Sequence, residues 1–486
     1  MSLPPSTSPS LKRGLTLVPA SAVIIATVIG TGIFVKARVM TCNVGSPGLV
    51  LLVYALAGVL TLAGALAYAE LGAMMPRAGG PYNYLGAAYG RRWAFLYGWM
   101  QAFVASAASV AAVALVFVIF LNDLVGGSLP PWALRVLPAV VIATAVVLNM
   151  ASVRSSGRIS TALTAVKIAL VLGVGVGAFV FGDGSWGHFA ASGAGAACED
   201  VAAGARLGLG GFGAAVIGAL WSYGGWVVFL LLAGEVRSPE RTLPRALAGA
   251  IVVIAVLYVF VNAAYFYVLT PEAVASVSPA SSVAAEVAVR FLGAGAVTLM
   301  AAGLLLSSFG TLYAHVLTAS RLPFALARDG MLPAPLARVS PTTQIPRNSV
   351  VLLGTWCIVL TVSGSFDVMT DLAVFAALLF AGLTVGAVFV LRRAQPEAER
   401  PYRVWGYPVV PALYLLAVLL LLVNTLVATP GRALAGLGLI ALGLPVYAYY
   451  ARRLPPDDPE NWLGEQADPD TGTVAEAAPT EALGPR

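Results

Sequence analysis

Residues 28–34 read Val-Ile-Gly-Thr-Gly-Ile-Phe, and the glycines at positions 30 and 32 interrupt an otherwise apolar segment. A second interruption, Tyr-Gly-Gly-Trp, occupies residues 223–226. A backbone in lipid must satisfy its own N–H and C=O groups, so breaking a helix at membrane depth is costly unless the freed groups face something polar. The matched pair therefore predicts two discontinuous membrane helices whose broken ends face a shared polar cavity.

The composition is that of an integral membrane protein. Of the 486 residues, 59% are hydrophobic and 10% are charged, and the mean hydropathy is +0.88. A soluble domain carries about 25% charged residues. Apolar runs of about 20 residues, the length that crosses a bilayer, recur along the chain. We predict twelve spans, near 15–41, 47–75, 93–121, 133–151, 159–182, 212–235, 243–270, 293–320, 348–364, 368–392, 409–428 and 432–451.

The basic residues indicate how these spans are oriented. With the N-terminus inside, 20 of the 28 Lys and Arg residues lie on inner segments and six, including Lys36 and Arg38, on outer ones. Positive residues favour the cytoplasmic side. We therefore expect a multi-pass protein of the cell (plasma or inner) membrane with both termini in the cytoplasm. The net charge of +6 follows from inner loops that face anionic lipid and needs no nucleic acid.

The placement of the breaks predicts an internal repeat. Each break opens a group of five spans, and an odd number of spans inverts the second group in the membrane. The expected fold is all-α, with 12 transmembrane helices in a LeuT-type 5+5 inverted repeat, discontinuous helices 1 and 6, and two extra helices. The predicted segments are a cytoplasmic N-terminus (1–14), the first repeat (15–182), an extracellular loop (183–211), the second repeat (212–392), helices 11 and 12 (393–452) and a disordered, passive cytoplasmic tail (453–486).

Several motifs in order resemble the amino acid–polyamine–organocation superfamily over roughly residues 12–450, and the Tyr-Gly-Gly-Trp break is most similar to its L-type amino acid transporter branch and prokaryotic relatives. The resemblance implies a secondary-active, sodium-independent amino acid transporter that works by alternating access, as an exchanger or coupled to protons. The motifs are the first break, Gly-Ser-Pro-Gly (45–48), Tyr-Ala-Glu-Leu-Gly (68–72), Gly-Gly-Pro-Tyr (79–82), Trp-Ser-Tyr-Gly-Gly-Trp (221–226), Glu-Val-Arg-Ser-Pro-Glu-Arg (235–241) and Ser-Arg-Leu-Pro-Phe-Ala-Leu-Ala-Arg-Asp-Gly (320–330).

A free amino acid carries a carboxylate and an ammonium on one carbon, and a broken helix offers partners for both. The N–H groups of residues 30–32 suit the carboxylate, because a half-helix begins there with its positive dipole end. The carbonyls of Ile29, Trp221 and Ser222 suit the ammonium. For either break alone, a glycine motif that merely lets helices touch is an equal alternative. The predicted substrate-binding residues are Ile29, Gly30, Thr31, Gly32, Trp221, Ser222, Tyr223, Gly224 and Gly225.

The residues around the second break bear on selectivity and gating. Gly224 and Gly225 are expected to leave room for the substrate side chain. Trp221 occupies the place where the L-type family carries an aromatic gate, and a packed core aromatic is the alternative. Glu235 is predicted to be a cytoplasmic gate residue or a loop salt bridge. L-type transporters often carry Asn after Tyr-Gly-Gly-Trp, whereas this chain has Val227, which leaves the family's substrate preference open.

Lys167 is the side chain that most clearly indicates a functional role, because a lysine inside a membrane span is costly unless it is paired or hydrated. The resemblance implies that its ammonium takes the place of the sodium ion that coupled relatives bind, between span five, the first break and hydroxyls of span eight. Ser307, Ser308 and Thr311 are the candidate hydroxyl partners. Lys167 is either a fixed structural cation, which we favour, or a proton carrier.

The sequence near the breaks also bears on the class of substrate. No acidic residue falls mid-span near either break, so neutral L-amino acids are favoured, with a cationic amino acid or polyamine exchanger as the alternative. With two histidines in the chain, His188 and His315, we expect no metal site, no cofactor and no enzyme activity. We interpret His315 as a hydrogen-bonded structural residue and Glu70 as an interfacial one. An amino-acid-binding membrane sensor without flux is a further alternative.

The three cysteines are too few for a disulfide framework. Cys42 and Cys198 both fall on the outer side, where a bridge is conceivable, but two unpaired small residues are the simpler expectation. L-type animal transporters attach a single-span partner through a cysteine after span three. The corresponding loop here, 122–134, has no cysteine, so we expect no disulfide-linked heavy chain. The expected partners are the amino acid substrate and the lipid bilayer.

Overall fold

The part of the chain that the computed structural model describes is helical, apart from an isolated bridge between Leu15 and Val236. That part comprises residues 15–76, 79–150, 156–193, 195–196, 198–230, 233, 236–278, 281–340, 345–364, 366–455, 457 and 462. Only the backbone is described for 123, 156–167, 294, 296, 297, 299, 317, 363 and 366. In chain order the α-helices are α1 (Leu17–Val28), α2 (Gly32–Val44), α3 (Pro47–Met74), α4 (Pro81–Tyr89), α5 (Arg91–Met100), α6 (Ala107–Leu124), α7 (Pro131–Asn149), α8 (Ser156–Phe181), α9 (Gly208–Ser222), α10 (Trp226–Leu230), α11 (Pro239–Val268), α12 (Pro271–Ala275), α13 (Val283–Leu292), α14 (Ala294–Ala319), α15 (Arg321–Arg328), α16 (Arg347–Ser363), α17 (Phe366–Ala394), α18 (Val409–Ala428), α19 (Pro430–Ala441) and α20 (Gly443–Ala451).

The predicted spans coincide with helices. Within the described residues, eight helices are long and apolar enough to cross a membrane, or nine if α1 and α2 form one broken span. Three shorter apolar helices, Ile168–Phe181, Gly208–Ser222 and Arg347–Val362, overlap predicted spans five, six and nine. An all-α multi-pass membrane protein is therefore confirmed, while the number twelve stays a prediction.

Both breaks lie where the glycines predict them. Helix α1 ends at Val28, and α2 begins at Gly32 with its axis bent by 51°. The second broken helix ends as α9 at Ser222 and resumes as α10 at Trp226. Gly225 between them has φ +111°, a conformation that a residue with a Cβ rarely adopts.

The helices pack in two groups around these breaks. Helix α11 packs against α1 and α3, and α9 packs against α2 and α3. A second group comprises α6, α7, α14 and α16, which pack on one another. Helix α17 lies between the groups, in contact with α3 and α9 on one side and with α6 on the other. The broken helices therefore sit in one group and face the other across the middle of the molecule.

The C-terminal end of α2 differs from its prediction in one way. Cys42 and Cys198 form a disulfide with an S–S distance of 2.13 Å, so the expectation of two unpaired cysteines was wrong. The bridge fastens α2 to the 183–211 loop, and Arg38 Nη1 adds a hydrogen bond of 3.0 Å to the Glu199 carbonyl. Lys36 and Arg38, which the charge count assigns to an outer segment, are 1% and 5% exposed.

Glu70, near the C-terminal end of α3, is fully buried rather than interfacial. Its carboxylate accepts hydrogen bonds from Arg392 Nε and Nη2 at 2.8 and 2.7 Å, and from the Val404 N–H at 2.6 Å. Arg400 Nε lies 3.9 Å away. This carboxylate therefore joins α3 to the C-terminal end of α17 and to the segment that follows it.

Two residues of the predicted disordered tail contact the body of the protein. Asp457 accepts a hydrogen bond from the Arg91 N–H, and its Oδ1 lies 3.7 Å from Arg91 Nε. The Trp462 ring packs edge-on against Tyr82 of α4, with ring centroids 5.4 Å apart. The start of the tail is thus docked on α4 and on the beginning of α5.

Candidate functional site

A cavity of about 240 Å³ lies between the two breaks. Its walls come from both broken helices and from α3, α5, α6, α14, α17 and α18, so it occupies the junction of the two helix groups. Both glycines of the first break and both glycines of the second face it. The polar residues and glycines that line it are Thr27, Gly30, Thr31, Gly32, Thr61, Tyr68, Tyr97, Gln101, Ser106, Ser109, Trp221, Ser222, Tyr223, Gly224, Gly225, Trp226, Thr311, His315, Thr318 and Tyr414.

The two breaks are packed directly on one another, which explains two of the glycines. A Cβ added at Gly32 would lie 2.6 Å from Ser222 Oγ and 2.9 Å from Trp221 Cδ1. A Cβ at Gly225 would lie 2.5 Å from the Thr27 carbonyl oxygen. At Gly30 the nearest atom would be 3.8 Å away, so that position leaves free space beside the cavity. Gly32 and Gly225 thus permit close backbone approach.

The broken ends present backbone groups to this cavity. Helix α2 starts at Gly32, and the first N–H groups of a helix have no partner within it. Tyr258 of α11 spans both breaks, since its hydroxyl lies 2.8 Å from the Ser222 carbonyl and 3.2 Å from the Val28 carbonyl. The Trp221 carbonyl accepts the Gly224 N–H at 3.0 Å. A carbonyl has two lone pairs, so a carbonyl at the end of a helix can bind a ligand in addition to its protein donor.

The far wall is polar and contains a π-helical turn, Gln101–Ser106, between α5 and α6. Gln101 Nε2 donates a hydrogen bond of 3.0 Å to Ser106 Oγ, and both residues line the cavity. Turns of this kind occur often at functional sites, because they shift the helical register by one residue. His315 of α14 also lines the cavity. None of the described residues lining the cavity is Asp, Glu, Lys or Arg.

Most of the substrate-binding residues predicted from the sequence lie together at the cavity. Eight of the nine substrate-binding candidates line the cavity. The ninth, Ile29, is 1% exposed at the end of α1 and is not among the lining residues. Trp221 lines the cavity and is half-buried, so both the gate and the core-aromatic interpretations stay open.

The structure describes only some of the residues of the predicted cation site. Lys167 lies on α8, but its side chain is outside the described residues, as is Glu235. Thr311 lines the cavity and donates to the Ser307 carbonyl at 3.0 Å. Ser307 and Ser308 are buried in α14, and the Ser308 hydroxyl donates to the Leu305 carbonyl at 3.0 Å. The role of these residues stays a prediction.

Sequence reasoning missed the residues that approach the cavity from intact helices. Gln101, Ser106 and Ser109 carry no recognisable motif, and polar residues in a membrane span were the only available signal. His315, interpreted as a structural residue, is part of the wall. Tyr258 lies in an ordinary apolar helix, and nothing in its local sequence indicates that it touches two distant breaks.

An all-helical membrane protein with a cavity between two broken helices has the architecture of a secondary transporter. The comparison with known families narrows this class. Residues 15–446 match the amino acid permease family model, and the chain belongs to that family.

Curated relatives match over most of their length. The chain is 28% identical to the serine/threonine exchanger SteT of Bacillus subtilis (strain 168), over 90% of this chain and 96% of that protein. It is 30% identical to the human cystine/glutamate transporter, over 90% and 85% of the two chains. It is 32% identical to the human large neutral amino acids transporter small subunit 2, over 90% and 80%. These relatives are amino acid transporters and exchangers.

Proposed function

We propose that this protein exchanges neutral L-amino acids across the membrane by alternating access. The observation that carries the proposal is the cavity at the junction of the two breaks, which combines helix ends with walls that have no charged side chain among the described lining residues. Backbone N–H and carbonyl groups complement a zwitterionic head group, and uncharged walls suit a neutral side chain. The names of the relatives, which include a serine/threonine exchanger and a large neutral amino acids transporter, support the same substrate class.

In this proposal the substrate carboxylate lies at the start of α2, on the N–H groups of Gly30, Thr31 and Gly32. Its ammonium is accepted by carbonyls at the ends of α1 and α9. The side chain extends past Gly224 toward the polar wall formed by Gln101, Ser106 and His315. Trp221 covers the substrate, and Glu235 belongs to the cytoplasmic gate.

The transport cycle moves one helix group against the other. The first group, α1, α3, α9 and α11, carries both breaks and rocks against α6, α7, α14 and α16, while α8 and α17 close the ends. We infer an inverted five-helix repeat followed by two helices, with both termini in the cytoplasm of a cell membrane. Cycling is sodium-independent, and Lys167 acts as a fixed cation in place of the ion.

The chain also works without a disulfide-linked partner. Cys42 and Cys198 are bonded to each other, and Cys357 is fully buried. All three cysteines are therefore engaged or inaccessible, which supports a transporter that needs no covalent heavy chain.

Counterflow in proteoliposomes tests this function. Vesicles loaded with unlabelled serine, leucine or arginine receive the labelled amino acid outside, at equal pH and then with a pH gradient. We expect accumulation of serine or leucine but not arginine, without dependence on sodium. Saturable binding without flux contradicts transport and favours a sensor. Arginine as the best substrate contradicts the neutral class, and pH-driven uptake that Lys167→Ala abolishes contradicts a fixed cation.

A further inference from the structure

Three buried polar side chains lie close together beside the second break. Tyr54 of α3 and Asn262 of α11 are fully buried, and Ser222, the last residue of α9, is 3% exposed. The Ser222 and Asn262 side chains are both polar neighbours of the Tyr54 hydroxyl. Helix α3 packs against α9 and α11. The three side chains therefore bring the end of a broken helix together with two continuous helices.

Each of these side chains has a polar atom that makes no direct hydrogen bond to the described part of the chain. The atoms are the hydroxyl oxygens of Tyr54 and Ser222 and the Oδ1 of Asn262. The orientation of the amide is fixed, because its Nδ2 donates a hydrogen bond of 2.8 Å to the Tyr258 carbonyl one turn earlier. Two donors and one acceptor thus face each other in the interior, where polar groups are almost always satisfied by protein or by ordered water.

One water molecule satisfies all three groups. It accepts hydrogen bonds from the Tyr54 and Ser222 hydroxyls and donates one to Asn262 Oδ1, and a buried water typically makes about three such bonds. The three side chains are uncharged, so they suit a neutral ligand better than an ion, whose burial is costly without an opposite charge. Their chemistry therefore favours water over a cation.

The Ser222 hydroxyl connects this cluster to the candidate substrate site. A Cβ added at Gly32 would lie 2.6 Å from Ser222 Oγ, so the hydroxyl packs against the first residue of α2. The Ser222 carbonyl accepts the Tyr258 hydroxyl at 2.8 Å and lies at the end of α9 that is proposed to accept the substrate ammonium. Ser222 also lines the cavity, whereas Tyr54 and Asn262 do not. The position of this helix end therefore depends on what its hydroxyl binds.

We propose that Tyr54, Ser222 and Asn262 hold one buried water molecule. Through it, Tyr54 and Asn262 act as positioning residues that fix the end of α9 against the start of α2. The proposal rests on the proposed transport function, because the fixed helix ends serve to bind an amino acid head group. Loss of either residue therefore weakens substrate binding more than it slows the movement of the helix groups.

Two variants with matched controls test this role in counterflow. Tyr54→Phe and Asn262→Leu each remove one partner of the water. Tyr84→Phe is a control, because the Tyr84 hydroxyl is also fully buried without a direct partner, but lies on α4. Asn149→Leu is the other control, since Asn149 is fully buried on α7, has an unpartnered Oδ1 and donates to the carbonyl four residues earlier.

We expect Tyr54→Phe and Asn262→Leu each to raise the KM for the transported amino acid roughly three- to tenfold, the range for losing one hydrogen bond. The maximal rate should stay within about twofold of the parent, and both controls should keep the parent KM. Because both residues act through one water, the double variant should raise KM no further than either single one. Tyr54→Phe keeps the ring, so it decides the outcome if Asn262→Leu does not fold.

Hydrogen–deuterium exchange measures the break without transport. The amides of Tyr223 and Gly224 bond to the Ala219 and Trp221 carbonyls, so a loosened break exposes them. Peptides that cover residues 219–228 should take up deuterium faster in Tyr54→Phe than in the parent or in Tyr84→Phe.

Unchanged KM and deuterium uptake in folded Tyr54→Phe and Asn262→Leu proteins overturn the proposal. Effects on KM that multiply in the double variant, or that the controls reproduce, overturn it as well. A sodium or lithium requirement that Tyr54→Phe abolishes places an ion rather than water between the three side chains. Failure of the transport function looks different: the parent chain then exchanges no amino acid, while deuterium uptake at the break still depends on Tyr54 and Asn262.

Discussion

Two buried ion pairs are held in different ways. Lys36 Nζ of α2 lies 2.6 Å from Asp367 Oδ1 and 2.6 Å from Thr370 Oγ1, and both acceptors lie on α17. Glu70 accepts three hydrogen bonds within 2.8 Å, from Arg392 and the Val404 backbone. It therefore joins two continuous helices to a following segment. This difference predicts a larger loss of stability when the carboxylate of Glu70 is removed than when the Lys36 pair is broken.

Glu70→Gln should have the largest effect, because it leaves two arginines without a compensating charge at a fully buried site. We expect a loss of stability of about 3–5 kcal/mol, typical of breaking one side of a buried ion pair. Thermal melting in detergent, followed by fluorescence-detected gel filtration, measures it. Glu397→Gln, on an exposed side chain in the adjoining segment, is the control and should melt like the parent. A Glu70→Gln protein as stable as the parent contradicts the structural role.

Removing the outer disulfide should have the next largest effect. Cys42→Ser with Cys198→Ser frees α2 from the 183–211 loop, and native disulfides commonly contribute about 2–5 kcal/mol. We expect a melting temperature several degrees below that of the parent. Treating the parent chain with reductant should reproduce the result, and Cys357→Ser, which breaks no disulfide, is the control for the loss of a thiol. A doubly substituted chain that melts like the parent contradicts a stabilising role for the bond.

Gly225→Ala tests whether the second break packs as tightly against α1 as the structure indicates. Its Cβ would lie 2.5 Å from the Thr27 carbonyl oxygen, in a backbone with φ +111°. Overpacking of this kind costs roughly 1–3 kcal/mol, and we expect about a tenfold or greater loss of exchange, since a 1.4 kcal/mol bias is tenfold. Gly249→Ala, in open space on α11, is the matched control. Full activity in Gly225→Ala means that the break adapts and that close approach is not required.

The sequence predicted the helices and the breaks because those signals are local. Glycines within apolar runs and the periodicity of the spans are read from neighbouring residues, and the family motifs add their order. The contacts that hold α2 in place are not local. Lys36 and Asp367 are 331 positions apart, and Cys42 and Cys198 are 156 apart. A buried lysine and an exposed one look the same until the partner helix is in place.

The side-chain wall of the cavity was missed for a related reason. The π-helical turn at Gln101–Ser106 shifts the register of a long helix, so the face that reaches the cavity cannot be inferred from a regular period. Tyr258 bridges two breaks only because α11 packs against α1 and runs beside α9. Local patterns therefore located the part of the site that binds the common head group, and missed the part that faces the substrate side chain.

The smallest effect is expected at the start of the tail, where Trp462 contacts Tyr82 of α4. Trp462→Ala removes one edge-on contact with Tyr82, and aromatic pairs contribute about 0.5–1.5 kcal/mol. Exchange should stay close to the parent rate, because the permanent link at Glu70 remains intact, while limited proteolysis should cleave the chain faster beyond residue 455. Trp405→Ala, an exposed tryptophan at the same end, is the control and should leave the cleavage rate unchanged. A several-fold change in exchange by Trp462→Ala contradicts a tail that is only docked and indicates that the tail takes part in transport.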